Sequence, residues 1–166
     1  DLFGENEDPQ NLSTDFFILK LDPDGNQIWS LQDGTPEPDE LHSVATDKNN
    51  DIYVGGGTQG DLFSIPNSGD FDSFVLRYTS AGDLLWGRGL EVNAGWSDMA
   101  RAIVIDEVRG SLYVTGDRFS IKFVLVDNVA VPVLDTDIFV EKLNPVDGSS
   151  LWDFPFLFNL VDQDDY

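Results

Sequence analysis

Oxygen-bearing side chains at alternate positions beside a glycine turn are the ligands a calcium ion takes, and Asp22, Asp24 and Asn26 are so spaced around Gly25. The same residue types favour turns through hydrogen bonds to their own backbone, so the stretch reads equally as a plain turn. The equivalent positions of a second copy of this phrase hold Thr79, Ala81 and Asp83, and no glutamate follows at the twelfth position as an EF-hand requires. The turn Asp47–Asp51 stands in the same way between the two readings. His42 is the single histidine, so a zinc site or a Ser-His-Asp triad would rest on one imidazole, and no G-x-S-x-G elbow is present. The absence of cysteine excludes disulfides, thiolate catalysis and Cys-ligated zinc. Gly55–Gly57 is not a phosphate loop, because no helix follows to present its N-terminus. No catalytic constellation emerges, and the chain is expected to be non-enzymatic, with no resident cofactor and calcium as the one candidate ion.

The elements that carry these residues repeat. "FFILKLDPDGNQIW" returns as "SFVLRYTSAGDLLW" and as "IFVEKLNPVDGSSLW". Phe17 falls over Phe74 and Phe139, Lys20 over Arg77 and Lys142, Gly25 over Gly82 and Gly148, and Trp29 over Trp86 and Trp152. Each copy alternates side chains between two faces, bends at the glycine, where a positive φ costs nothing, and re-enters an apolar stretch. This predicts three β-hairpins, with each tryptophan in an equivalent, largely buried position. The basic column is either a ring of anion-binding groups or, on the preferred reading, one of cross-strand ion pairs.

A second phrase lies between the hairpins: "DELHSVATDKNNDIYVGG" matches "DMARAIVIDEVRGSLYVTG", with Asp47 over Asp106, Tyr53 over Tyr113 and Gly56 over Gly116. His42 matches Arg101 and is expected on a polar sheet face. The repeat therefore holds four short strands, no segment has a sustained helical period, and the chain is expected to be all-β. Four-strand units at regular spacing predict propeller blades of four antiparallel strands. The tryptophan spacing exceeds the ~40–50 residues of common blade families, and the excess is assigned to loop insertions at 57–71 and 117–136. Together the phrases predict about two and a half blades: an outer hairpin in residues 1–33, a complete blade in 34–92 and a second in 93–166.

"DFFILKLDPDGNQIW" followed by "HSVATDKNNDIYVGG" resembles the bacterial β-propeller repeat known as SBBP, and the hairpin resembles the tryptophan-docking motif of quinoprotein-type propellers. The third turn departs by one extra residue before Gly148. The resemblance covers most of the chain outside the insertions. It implies an exported, cell-surface or extracellular protein, with a redox propeller holding its cofactor and calcium on the axis as the alternative. Carbohydrate binding is a third reading, hinted at by Trp96.

Nine basic against 31 acidic residues leave a formal charge of −22. Such a chain repels nucleic acid and anionic membranes, and no apolar run is long enough to span a bilayer. The carboxylates suit cations or high salt, or serve as a solubilising coat. With 41% hydrophobic and 12% aromatic residues the chain can build a real core. Apolar material also falls outside the repeat, in Phe123, Val124, Leu125, Val131, Val133 and Leu134 and in Phe154, Phe156 and Phe158. These are the expected contacts with further blades or with copies of the same protein, the partners that an unclosed ring calls for.

Overall fold

The computed structural model describes residues 13–68, 70–90, 97–153 and 155–159. Strands β1 (Phe16–Leu21) and β2 (Gln27–Asp33) form an antiparallel hairpin. Phe16 and Ile18 are buried on one face while Phe17, Leu19 and Leu21 are exposed on the other, the period of two that a strand imposes. Strands β3 (Asp39–Thr46), β4 (Ile52–Thr58), β5 (Asp72–Tyr78) and β6 (Leu84–Gly89) form a four-stranded antiparallel sheet in chain order. A second such sheet holds β7 (Ser97–Asp106), β8 (Ser111–Val126), β9 (Val129–Leu143) and β10 (Phe156–Asn159). The described residues are thus all-β, built of antiparallel meanders with the make-up of propeller blades.

The three sheets pack face to face around two apolar clusters. Phe16 and Ile18 meet Ile52, Val54, Phe74, Leu76 and Tyr78 in one; Tyr53 and Val75 meet Ile103, Leu112, Val114, Phe139 and Leu143 in the other. The middle sheet is therefore covered on both sides, and every residue of β4 is buried. Alternation is lost in such a strand, and IYVGGGT reads as a continuous run of apolar and small residues.

The first strand of each four-stranded sheet carries a β-bulge at the matching position. The ladder between β3 and β4 skips His42, and that between β7 and β8 skips Arg101. The bulged backbone presses on the glycine opposite: a Cβ on Gly56 would lie 1.8 Å from the Glu40 carbonyl oxygen, and one on Gly116 would lie 1.9 Å from that of Met99. His42 is therefore not an ordinary sheet-face residue, because a bulge re-aims the extra side chain.

Two expectations are corrected. Residues 117–136 are not a loop but the continuation of β8 and β9 into a long ribbon, because the segment is itself an alternating β-rich sequence around an Asp127–Asn128 turn. Trp152 does not lie in a fourth strand as Trp86 lies in β6. Past an isolated bridge from Leu143 to Ser150 the chain leaves the ladder, and pairing resumes only at Phe156, opposite Val140. Pro155, with no N–H for the ladder, stands at the point of re-entry. The segment 57–71 begins within β4 and is ordered by its own bridge from Leu62 to Ile65, with Leu62 buried in the first cluster.

Candidate functional site

The repeated residues converge on the joints between sheets. In the hairpin turns the first polar residue caps the bend: Asp22 Oδ1 accepts from the Asp24 and Asn26 N–H groups, Thr79 Oγ1 from those of Ala81 and Asp83, and Asn144 Oδ1 from that of Val146. Gly25, Gly82 and Gly148 follow with φ of 86°, 98° and 73°. This geometry leaves the carbonyl of the residue after the cap facing the preceding sheet.

That carbonyl is what the preceding sheet grips. Trp29 Nε1 donates to Ser80 O at 3.2 Å and Lys20 Nζ donates to the same oxygen at 2.5 Å. One sheet further on, Pro145 O accepts from Trp86 Nε1 at 3.2 Å, Arg77 Nη1 at 2.9 Å and Tyr53 Oη at 3.3 Å. Each indole lies on the glycine of the turn it reads, and a Cβ on Gly148 would come within 2.9 Å of the Trp86 ring. Arg77 is fixed in turn by Asp51 at 2.8 Å and stacks over Tyr53 at 5.2 Å, and Tyr53 meets Trp86 edge-on. Lys142 repeats the stacking over Tyr113, and Trp152 meets Tyr113 edge-on as Trp86 meets Tyr53.

The basic column thus reaches forward to a main-chain oxygen. Arg77 forms the expected cross-strand pair with Asp51, whereas Lys20 is held by a carbonyl instead. Trp29 and Trp86 are half-buried at their joints and Trp152 is 37% exposed, which corrects the expectation of three equivalent, largely buried rings. An indole that wedges between sheets is covered by the next sheet, so its burial depends on that neighbour. An open cleft of about 220 Å³ lies over the second joint, between Asp47, Tyr53, Arg77, Ile105, Asp106 and Pro145.

Of the candidate calcium ligands, Asp22 is occupied by the turn itself. The Asn26 side-chain amide donates to Asp22 Oδ2, and this bond, with those from the backbone, holds the Asp22 carboxyl below its usual range. Among the described residues no three His, Cys, Asp or Glu side chains are grouped to hold a metal ion. Asp47 and Asp106 cap their own turns in the same way, Asp47 accepting from Asn49 and Asp51, and Asp106 from the Arg109 backbone and guanidinium. His42 Nε2 lies 3.3 Å from Glu40, 3.2 Å from Met99 Sδ and 3.1 Å from Arg101 Nη1, so the two bulged residues touch, and Arg101 is also paired with Asp117. The match of His42 with Arg101 in the repeat was the signal for this contact, since equivalent positions of adjacent sheets stack.

Of the candidate contact residues, Phe123, Leu125 and Leu134 share one face of the ribbon and are 70%, 75% and 76% exposed, while on the opposite face Val131 is exposed and Val124 and Val133 are half-buried. Phe156 and Phe158 pack together on the edge strand β10 with ring centres 4.9 Å apart. Phe154 and Trp96 lie outside the described residues.

Burial pushes the Tyr53 phenol up to about 12 from its usual 10.0, and pushes that of Tyr78 up as well. The folded state therefore holds these protons more tightly than the unfolded chain. The stability they contribute is complete below pH 10 and is lost as pH rises toward 12. Urea midpoints followed by circular dichroism are expected to fall across that window, and Tyr53→Phe to flatten part of the fall. A wild-type midpoint that stays level there contradicts the burial of both phenols.

Residues 28–64 match the family model of the SBBP β-propeller repeat, a span that runs from the first hairpin through β3 and β4. Regulatory protein FlaEY of Caulobacter vibrioides is 28% identical over 74 residues, which are 43% of this chain and 8% of that protein. The chain thus spans a small part of that relative, and it carries a β-propeller repeat in an all-β fold of antiparallel sheets.

Proposed function

We propose that this β-propeller segment is a non-enzymatic scaffold or protein-interaction module of an exported, cell-surface or extracellular protein, and that its working part is the joint between successive blades. The observation that carries the reading is the recurrence of one joint on different side chains: Lys20 and Trp29 on Ser80 O, then Arg77 and Trp86 on Pro145 O. Machinery that recurs with the repeat serves stacking, whereas catalysis needs a unique constellation. The outward residues Phe17, Leu19 and Leu21 of the first hairpin are exposed and apolar, as a face that takes a further blade would be. A surface charge of −22 suits a part that stays soluble outside the cell. The designation of the Caulobacter relative as a regulatory protein accords with a part that acts by binding.

Titration of the purified chain with a quinone cofactor and calcium is expected to leave no bound chromophore, and a stoichiometric visible band would replace this reading by a redox propeller. Protease shaving of intact cells that express the full-length protein is expected to release peptides of this segment. Their complete protection in intact cells, with release only after lysis, removes the surface assignment.

A further inference from the structure

Among the described residues, β8 pairs with β7 no further than Phe119, and β9 pairs with β10 no earlier than Asp137. Between these points β8 and β9 run as a two-stranded ribbon, in unbroken register from Ser120 opposite Asp135 to Val126 opposite Val129. Asp127 and Asn128 close it with φ of 52° and 62°, the positive values of a two-residue type I′ turn. In such a hairpin the pair flanking the turn exchanges both of its backbone hydrogen bonds, and bonded and non-bonded pairs alternate from there. The N–H and C=O groups of Ile121, Phe123 and Leu125 on β8, and the backbone of Ala130, Pro132 and Leu134 on β9, therefore point outward along the two edges.

The edges differ at their centres. Phe123 and Pro132 are cross-strand partners. Pro132 has no N–H to give and its ring obstructs an added strand, whereas Phe123 leaves the edge of β8 open. We propose that the β8 edge from Ile121 to Leu125 pairs antiparallel with the same edge of a second copy of this chain, and that Pro132 keeps the β9 edge from adding another strand.

Self-complementarity points to a second copy as the occupant, and the local charge permits it. Two molecules of charge −22 repel each other over most of their surfaces, but residues 119–134 contain only Lys122 and Asp127 as charged groups, one of each sign. The segment is also complementary to itself. A two-fold axis at Phe123 uses all three outward positions and sets Ile121 against Leu125 of the second copy, giving about six backbone hydrogen bonds. It places Phe123 against Phe123 of the second copy as an aromatic cross-strand pair, and Lys122, 3.8 Å from Asp135 of its own ribbon, opposite Val124 of the second copy. An axis at Lys122 would instead oppose two ammonium groups. Because the open edge meets its own image, the pair closes, and the proline at the other edge prevents growth into an extended sheet.

Sedimentation and light scattering of the 166-residue chain test this, with circular dichroism melts confirming that each variant folds. The expected result is a concentration-dependent dimer. Phe123→Pro, which removes the central donor of the open edge, is expected to be monomeric, and Pro132→Val to form assemblies larger than a dimer. Ile121→Glu is expected to weaken the dimer by about tenfold or more, and Leu125→Lys added to it to restore pairing, since the two positions face each other across the axis. A wild-type chain that stays monomeric at ~100 µM, well above the Kd of a specific pair, overturns the proposal. So does a Phe123→Pro chain that dimerises like the wild type. Failure of Leu125→Lys to restore pairing overturns the register, and a strictly dimeric Pro132→Val chain overturns the role given to the proline.

Discussion

Gly116→Ala is expected to cost about 3 kcal/mol or more of folding stability, beyond what a single added methyl group does in most cores. Its Cβ would lie 1.9 Å from the Met99 carbonyl oxygen and 2.6 Å from two ring carbons of Phe139. Neither neighbour has room to retreat. Met99 belongs to the bulged stretch of β7, and Phe139 is fully buried in the cluster that joins the second and third sheets. Gly56→Ala should be comparably damaging, since its Cβ would meet the Glu40 carbonyl at 1.8 Å. Gly110→Ala is the control: its φ is +59° with nothing within 4 Å of the added carbon, so only the left-handed backbone is strained, at about 1 kcal/mol. Urea unfolding of the three variants separates close approach from backbone strain. A Gly116→Ala protein as stable as the control would show that the bulge does not press on β8.

Trp86→Ala and Trp152→Ala are expected to differ although the two residues share a column of the repeat. Loss of the Trp86 ring empties the space over Gly148 and removes a donor from Pro145 O, for an expected cost of about 3 kcal/mol. Trp152 is 37% exposed, stands outside the ladder and rests edge-on against Tyr113, so its loss should cost less than about 1 kcal/mol. Equal costs, read from urea midpoints at constant m-value, would mean that the third hairpin packs like the second.

The contrast marks what the amino-acid sequence conveys about this fold. Strands and turns were legible because their causes are local: alternating apolar residues, a capping Asp, Thr or Asn, and a glycine at positive φ. The columns holding Trp29 and Lys20 were legible as repeats, but not their use. Their partner is a main-chain oxygen some 60 residues away, and a carbonyl has no letter in the sequence. The bulges at His42 and Arg101 were hidden for the same reason, since the glycines opposite them also serve turns and thin strands. The ribbon was missed because a long insertion between two strands suggests a loop, although its own pattern, two β-rich runs about Asp127–Asn128, is that of a hairpin. The departure of Trp152 from the ladder follows from Pro155 and from one added residue in the turn, a register effect that column alignment conceals.

The joint has one further property. Its reading half consists of side chains in one repeat, and its receiving half is backbone in the next, contributed by a serine at one joint and a proline at the other. Two halves that were both side chains would have to change together whenever a unit was copied or inserted. Here the receiving half is indifferent to which amino acid supplies it, provided the turn keeps its shape. A duplicated unit therefore arrives already able to lock onto its neighbour, and an array of such units can lengthen or shorten by whole steps without any matched pair of substitutions.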